Sequence, residues 1–180
     1  MSEKRLIGEK AILRSITMED TPLIVKWRSL PSVYNHLYTR GPLLAEQHIK
    51  WMQTRVMTGQ CHQFIIEDAK TGMPVGSVFI KNIDYESKKG EYGIFIGEEA
   101  ARGRGIGSDA ARLILSYGFK EIGLNRIYLS VFAKNRIAIE SYKRAGFREE
   151  GMLREDYYAD GQYDDILLMS ILRKEWEKAE

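Results

Sequence analysis

In the stretch Arg102-Gly103-Arg104-Gly105-Ile106-Gly107-Ser108, three glycines alternate with Arg104 and Ile106, and an apolar-periodic segment follows at once. Glycine in a regular element costs roughly 0.5–1 kcal/mol, so this density needs a reason. Successive backbone N–H groups at a helix start form a nest of partial positive charge, which suits a pyrophosphate. Arg102 and Arg104 would add cationic side chains. The same residues would also make a plain tight strand-to-helix connection with two solvated arginines. Two other phosphate motifs fail on spacing. A dinucleotide fingerprint needs G-x-G-x-x-G, but the third glycine comes one residue early and Ser108 stands in its place. A P-loop needs lysine before its Ser or Thr, and Gly107 runs directly into Ser108.

The surrounding pattern predicts the elements that hold this loop. "KAILRSI" (10–16) alternates as a strand, and 18–30 reads as a helix on Leu23, Val25, Trp27 and Leu30, ended by Pro31. A second helix spans 44–57, with Ile49, Met52 and Val56 at helical spacing. "CHQFIIED" and "MPVGSVFIKNID" form a hairpin, and "GEYGIFIG" (90–97) is the next strand. Behind the glycines, Ala111, Ile114, Leu115, Gly118 and Ile122 share one helix face. "RIYLSVFA" (126–133) is a near-continuous apolar strand, as expected where both faces are covered. Asn135 caps a helix that Gly146 ends, and Asp160-Gly161 turns a last hairpin. The order β-α-α-β-β-β-α-β-α-β-β implies an α+β (mixed α/β) fold with helices on both faces of the sheet.

Length and composition bound the rest. The 180 residues suit one domain, 1–180. A net charge of +2 gives no sign of a bulk nucleic-acid binder. The single cysteine, Cys61, permits no intrachain disulfide and fits a reducing, cytoplasmic setting. No stretch approaches the ~20 apolar residues of a membrane span, and no signal-peptide pattern is seen. His36, His48 and His62 are not spaced as metal ligands, so no metal is expected.

Two segments together carry a family resemblance. "RGRGIG" (102–107) resembles the R/Q-x-x-G-x-G/A loop of the GCN5-related N-acetyltransferases, and Asn135–Phe147 resembles their N-x-x-A-I-x-x-Y-x-x-x-G-F signature. The ending "GMLREDYYADGQYDDILLMSIL" is similar to the branch holding ribosomal-protein, polyamine and sugar-nucleotide acetyltransferases. The resemblance implies a twisted, mostly antiparallel sheet of about seven strands, in which a bulge splays the central pair. It implies acetyl-coenzyme A (acetyl-CoA) as cosubstrate. Its pyrophosphate would lie on Arg102, Gly103, Arg104, Gly105, Ile106, Gly107 and Ser108, and its pantetheine along the backbone of Ile94, Phe95 and Ile96. Asn135 would hold the pantetheine amide, cap its helix, or do both. Tyr142 stands where the family carries its catalytic acid, and Glu91 where several members carry a base.

The acceptor amine is expected to meet residues 26–52, with Trp27, Arg28, Tyr38 and His48 as contacts. Lys26, Arg28, Arg40 and Lys50 there outnumber Glu46, whereas a polyamine pocket would need carboxylates. A basic, aromatic pocket better matches a nucleotide-linked 4-amino sugar. The pattern W-R-x-x-P-x-V…H-I-x-W (27–51) is also similar to sugar-nucleotide N-acetyltransferases. A ribosomal-protein N-terminus, a polyamine, or an acetyl-CoA-binding regulatory role without turnover are the alternatives. A homodimer through the last two strands or the helical tail fits the resemblance.

Overall fold

The computed structural model describes residues 4–179. Eight strands form one sheet: β1 (Arg5–Ile7), β2 (Ala11–Ser15), β3 (His62–Asp68), β4 (Pro74–Asp84), β5 (Lys89–Ile96), β6 (Arg126–Phe132), β7 (Arg148–Ala159) and β8 (Gln162–Leu172). Their order is β1-β2-β3-β4-β5-β6-β8-β7. Every pairing is antiparallel except β5 with β6. The additional strand is β1. Its three residues are too few to show an alternation, and only its pairing with β2 makes it a strand.

The helices are α1 (Thr21–Arg28), α2 (Pro31–Tyr34), α3 (Ala45–Trp51), α4 (Ile106–Tyr117), α5 (Arg136–Arg144) and α6 (Arg173–Trp176). Pro31 was expected to end the first helix. That helix stops at Arg28, and Pro31 instead opens α2, where its missing N–H leaves no bond unmade. No helix among the described residues is long and apolar enough to cross a membrane.

Alternation along the strands divides the apolar side chains between two cores. Phe64, Ile66, Val78 and Ile80 face α4 and α5. Ile65 and Phe95 face α1 and α2 with Ile24, Trp27 and Val33. In α1 the buried apolar positions are Ile24 and Trp27, while Leu23 and Val25 are half-buried. In α4 the expected face is buried at Ala111, Ile114 and Leu115, and Ala110 and Leu113 are buried as well. The helix is thus enclosed over more than one stripe.

One feature of the register sets up the site. β5 and β6 pair only at Lys89–Arg126, Gly90–Ile127 and Glu91–Tyr128. Beyond Glu91 the strands part. β5 stays on β4 as far as Ile96–Gly76, while β6 stays on β8 as far as Phe132–Ile166. The central pair is therefore splayed, but without a bulge in β5, whose register with β4 runs unbroken from Glu91 to Ile96. The irregularity lies across from it, between Lys81 and Asp84, where Asn82 has a φ of 50°. Each strand keeps its other neighbour, and the twist of the sheet separates the two.

Trp27 locks the second core. It is fully buried, its Nε1 donates to Glu98 at 2.7 Å, and its ring meets Phe95 edge-on at 6.3 Å. A Cβ at Gly97 would fall 2.1 Å from that ring. Trp27→Ala should destabilise the fold by about 3–5 kcal/mol and Gly97→Ala by about 1–3 kcal/mol, both read from urea unfolding. An unchanged midpoint in either variant would contradict this packing.

Candidate active site

The parting of β5 and β6 opens a cleft of about 700 Å³. Glycines form one end. Gly103 and Gly105 have φ of 72° and 81°, a region that side chains with a Cβ rarely adopt, and Gly105 is the N-cap of α4. Gly103, Gly105, Gly107 and Ser108 all border the cleft. Gly107 is informative in another way. A Cβ there would meet nothing nearer than 3.8 Å, so the protein's own packing does not require glycine. Close approach from the cleft side is the remaining reason for it. Ile106 turns inward and is 2% exposed, leaving only its backbone for a ligand.

The two arginines separate. Arg102 borders the cleft, with its guanidinium on the Ile96 carbonyl (3.0 and 3.2 Å) and on Ser32 Oγ (3.2 Å). Arg104 turns away to Asp68, at 2.9 Å. Of the expected cationic pair, only Arg102 reaches the cleft. Ile94, Phe95 and Ile96 line it as expected, with the β6-facing edge of β5 free of any strand partner there.

Midway along the cleft stand the groups suited to proton transfer. Tyr142, on α5, packs edge-on against Tyr92 at 5.9 Å and against Phe147 at 6.0 Å. Burial pushes its phenol up to about 12, so it stays protonated across the neutral range. Its hydroxyl has no hydrogen-bond partner among the described residues. Glu91, in the last paired register of β5 with β6, also borders the cleft. Its carboxylate is held by Lys81 at 3.2 Å and by Asn82 Nδ2 at 2.8 Å. It would reach a proton directly only if that pair opened, or otherwise through a water. Asn135 caps α5 through its Oδ1, which accepts from Ala138 N at 3.2 Å. Its Nδ2 points the other way, to His36 Nδ1 at 3.4 Å, and the residue borders the cleft.

The acceptor end draws on α1, α2 and the chain after them. Arg28 and Tyr38 border the cleft, but Trp27 and His48 do not. Trp27 is core, and His48 is 3% exposed with its Nδ1 on Thr21 Oγ1 at 3.0 Å. Neighbours on a helix point about 100° apart, so Arg28 and Trp27 could not both face one side. Tyr38 sits in an aromatic group with Phe132 (5.6 Å) and Tyr157 (5.7 Å), and the Tyr157 hydroxyl donates to the Tyr38 carbonyl. Arg40 lies over the Tyr157 ring and pairs with Asp160 at 2.7 Å. The β7–β8 hairpin therefore anchors the segment after α2.

Several lining residues were not anticipated. Lys81 was legible in principle, because a hairpin register would set it opposite Glu91. Tyr92 follows Glu91 on β5 and packs against Tyr142. It borders the cleft because the cleft opens where the two strands separate. No cluster of three or more potential metal ligands occurs among the described residues.

A run of glycines, a strand edge without a partner and the Tyr142 phenol thus border one cleft. The model of the acetyltransferase (GNAT) domain matches residues 10–148, and the chain belongs to that family. An N-acetyltransferase designated p20 from Bacillus licheniformis is 28% identical over 174 residues, which are 95% of this chain and 97% of that protein. The spermidine N(1)-acetyltransferase of Vibrio cholerae is 33% identical over 114 residues, 63% of this chain and 65% of that one. A Bacillus subtilis protein named as a ribosomal N-acetyltransferase, YdaF, is 34% identical over 59% of this chain and 57% of its own length. Among solved structures, the Vibrio cholerae spermidine N-acetyltransferase in complex with CoA and spermine superposes with a TM-score of 0.86 at 24% identity, over 93% of this chain and 98% of that one.

The nest can be tested directly. Gly105→Val places a β-branched residue at a φ of 81° on the cleft wall. Acetyl-CoA binding, followed by calorimetry, should fall below detection while the circular dichroism spectrum is kept. Normal affinity in the variant would remove the nest from the binding site.

Proposed function

We propose that the chain transfers acetyl from acetyl-CoA to a primary amine by direct attack in a ternary complex, and that the amine belongs to a nucleotide-linked 4-amino sugar. The acetyl donor follows from family membership and from the nest, the free β5 edge and Tyr142. The observation that carries the acceptor is the charge of the cleft. Among the described residues Arg28, Lys81, Arg102 and Arg144 border it, against a single carboxylate, Glu91, which Lys81 already engages. A polyamine would set its ammonium groups against these cations. The spermidine enzymes among the relatives favour that second reading, and YdaF favours a ribosomal-protein N-terminus. This reading places the chain in the cytoplasm, where the buried thiol of Cys61 stays reduced.

The chemistry divides between two residues. An alkylamine with a pKa near ~10 arrives protonated. Glu91, through a water or after leaving Lys81, takes that proton. The free amine attacks the thioester carbonyl. The tetrahedral adduct then collapses, breaking the C–S bond and losing a second proton from nitrogen. Tyr142 donates a hydrogen bond to the departing thiolate. Its phenol, at about 12, is a weaker acid than a thiol near ~8.5, so any proton it gives is returned from the acylated nitrogen.

Release of free thiol from acetyl-CoA, followed across a 4-amino-sugar nucleotide, spermidine and a ribosomal-protein N-terminal peptide, tests the acceptor. The sugar nucleotide should give the highest kcat/KM. Turnover of spermidine alone would establish the polyamine reading, and no turnover despite tight coenzyme binding would establish a binding module. Tyr142→Phe should lower kcat by about 10²–10⁴-fold with little change in acetyl-CoA affinity. Because burial keeps the phenol protonated across the neutral range, it contributes no loss of rate there. An alkaline fall in kcat that persists unchanged in Tyr142→Phe would assign that titration to another group.

A further inference from the structure

The cations around the cleft are not equivalent. Lys81 is paired with Glu91 at 3.2 Å. Arg102 is hydrogen-bonded to the Ile96 carbonyl and Ser32. Arg144 is exposed at the end of α5. Arg28 differs from all three. It is half-buried in the acceptor wall, its Nε is shut off from solvent without a hydrogen-bond partner, and no carboxylate among the described residues neutralises it.

Its surroundings supply no hidden counter-charge. Asp20, just before α1, is taken by Arg14 through two bonds of 2.8 and 2.9 Å. Glu98 is taken by Lys26 and Trp27, both at 2.7 Å. His48 feels the Arg28 charge, but burial lowers its pKa and keeps the imidazole neutral. Leaving the buried Nε donor of a guanidinium unpaired is costly, and no neighbouring group among the described residues offsets it. An anion entering the cleft beside Arg28 would offset that cost.

We propose that Arg28 is the specificity-determining residue of the acceptor site, and that its guanidinium pairs with a phosphate or carboxylate carried by the amine substrate. This rests on the reading of the cleft as an N-acetyltransferase site. Arginine suits the task because its planar fork binds either anion through two parallel hydrogen bonds. Ser32 and His36 border the same wall and can add polar contacts. The arrangement selects by repulsion too, since a polycationic amine would bring an ammonium to an unneutralised guanidinium.

The test uses the full chain and three amines: a nucleotide-linked 4-amino sugar, the methyl glycoside of the same amino sugar, and a peptide with an acidic second residue. Initial rates of thiol release give KM and kcat for each. The wild type should favour an anion-bearing amine over the neutral glycoside. Arg28→Gln should cut that preference at least ten-fold, through KM and not kcat, with the affinity for acetyl-CoA kept. Arg28→Lys should recover part of it, and rising salt should weaken it in the wild type. Dependence on Arg28 with the nucleotide names phosphate as the anion, and dependence with the peptide names carboxylate. If the wild type prefers an anionic amine but Arg28→Gln keeps the preference, Arg28 is not the selector while the acceptor reading stands. If the wild type prefers the neutral amine, the acceptor reading fails with it. Should Arg28→Gln not fold, Arg28→Lys decides, because an unchanged KM for the anionic amine in that variant overturns the proposal.

Discussion

The separation of β5 from β6 after three paired residues is the constraint on which the rest of the molecule depends. A parallel pair in mid-sheet normally continues, because each unmade ladder bond leaves a donor or acceptor to satisfy. Here both strands are committed elsewhere, β5 to β4 and β6 to β8. The gap is therefore built by the sheet and not left by a loop. It places a free backbone edge beside the N-terminus of α4, and it puts Glu91 at the fork and Tyr142 on the opposite wall.

The two cores hold that fork open from both sides. On one face α4 is packed deep in the larger cluster and α5 joins it through Ala138, Ile139 and Tyr142, so the glycine nest and Tyr142 are carried on helices anchored to that core. On the other face Trp27 fills the space under Phe95, and its bond to Glu98 ties α1 to the chain leaving β5. Arg102 adds a third tie by bonding the Ile96 carbonyl at the very end of β5. A site placed on rigid elements in this way keeps its groups in position without the ligand's help. The acceptor end is looser in origin. It is assembled from the segment after α2 and the β7–β8 hairpin, joined by Tyr38, Arg40, Phe132 and Tyr157.

Electrostatics runs in one direction along the whole cleft. The nest offers backbone N–H groups, Arg102 stands beside it, and Arg28 waits at the acceptor end. Among the described residues Glu91 is the one carboxylate on the wall, and Lys81 offsets it. Such a surface concentrates anions at both ends. Between them, burial keeps the Tyr142 phenol neutral, and the Glu91 carboxylate is offset by Lys81. The division suits a cosubstrate and an acceptor that are each anionic away from the bond being made.

By itself the sequence determined the features whose physics is local. Glycines at 103, 105 and 107 announced a tight turn into a helix, and the left-handed φ at Gly103 and Gly105 is the local form it takes. Asn135 announced a helix start because its side chain bonds a backbone N–H three residues on. Periods of two and 3.6 announced the strands and the long helices, since those periods decide which face is buried. Tertiary structure alone decided between residues that are alike in chemistry and close in sequence. Arg102 and Arg104 read the same until Asp68, arriving at the end of β3, claims the second. Trp27 and Arg28 both looked like acceptor contacts, yet one helix turns them to different sides and packing fills only one of those sides. Tyr38 gains its place from Tyr157, far along the chain, and β1 exists only because β2 pairs with it. In each case the deciding partner is distant in sequence, and no local pattern carries it.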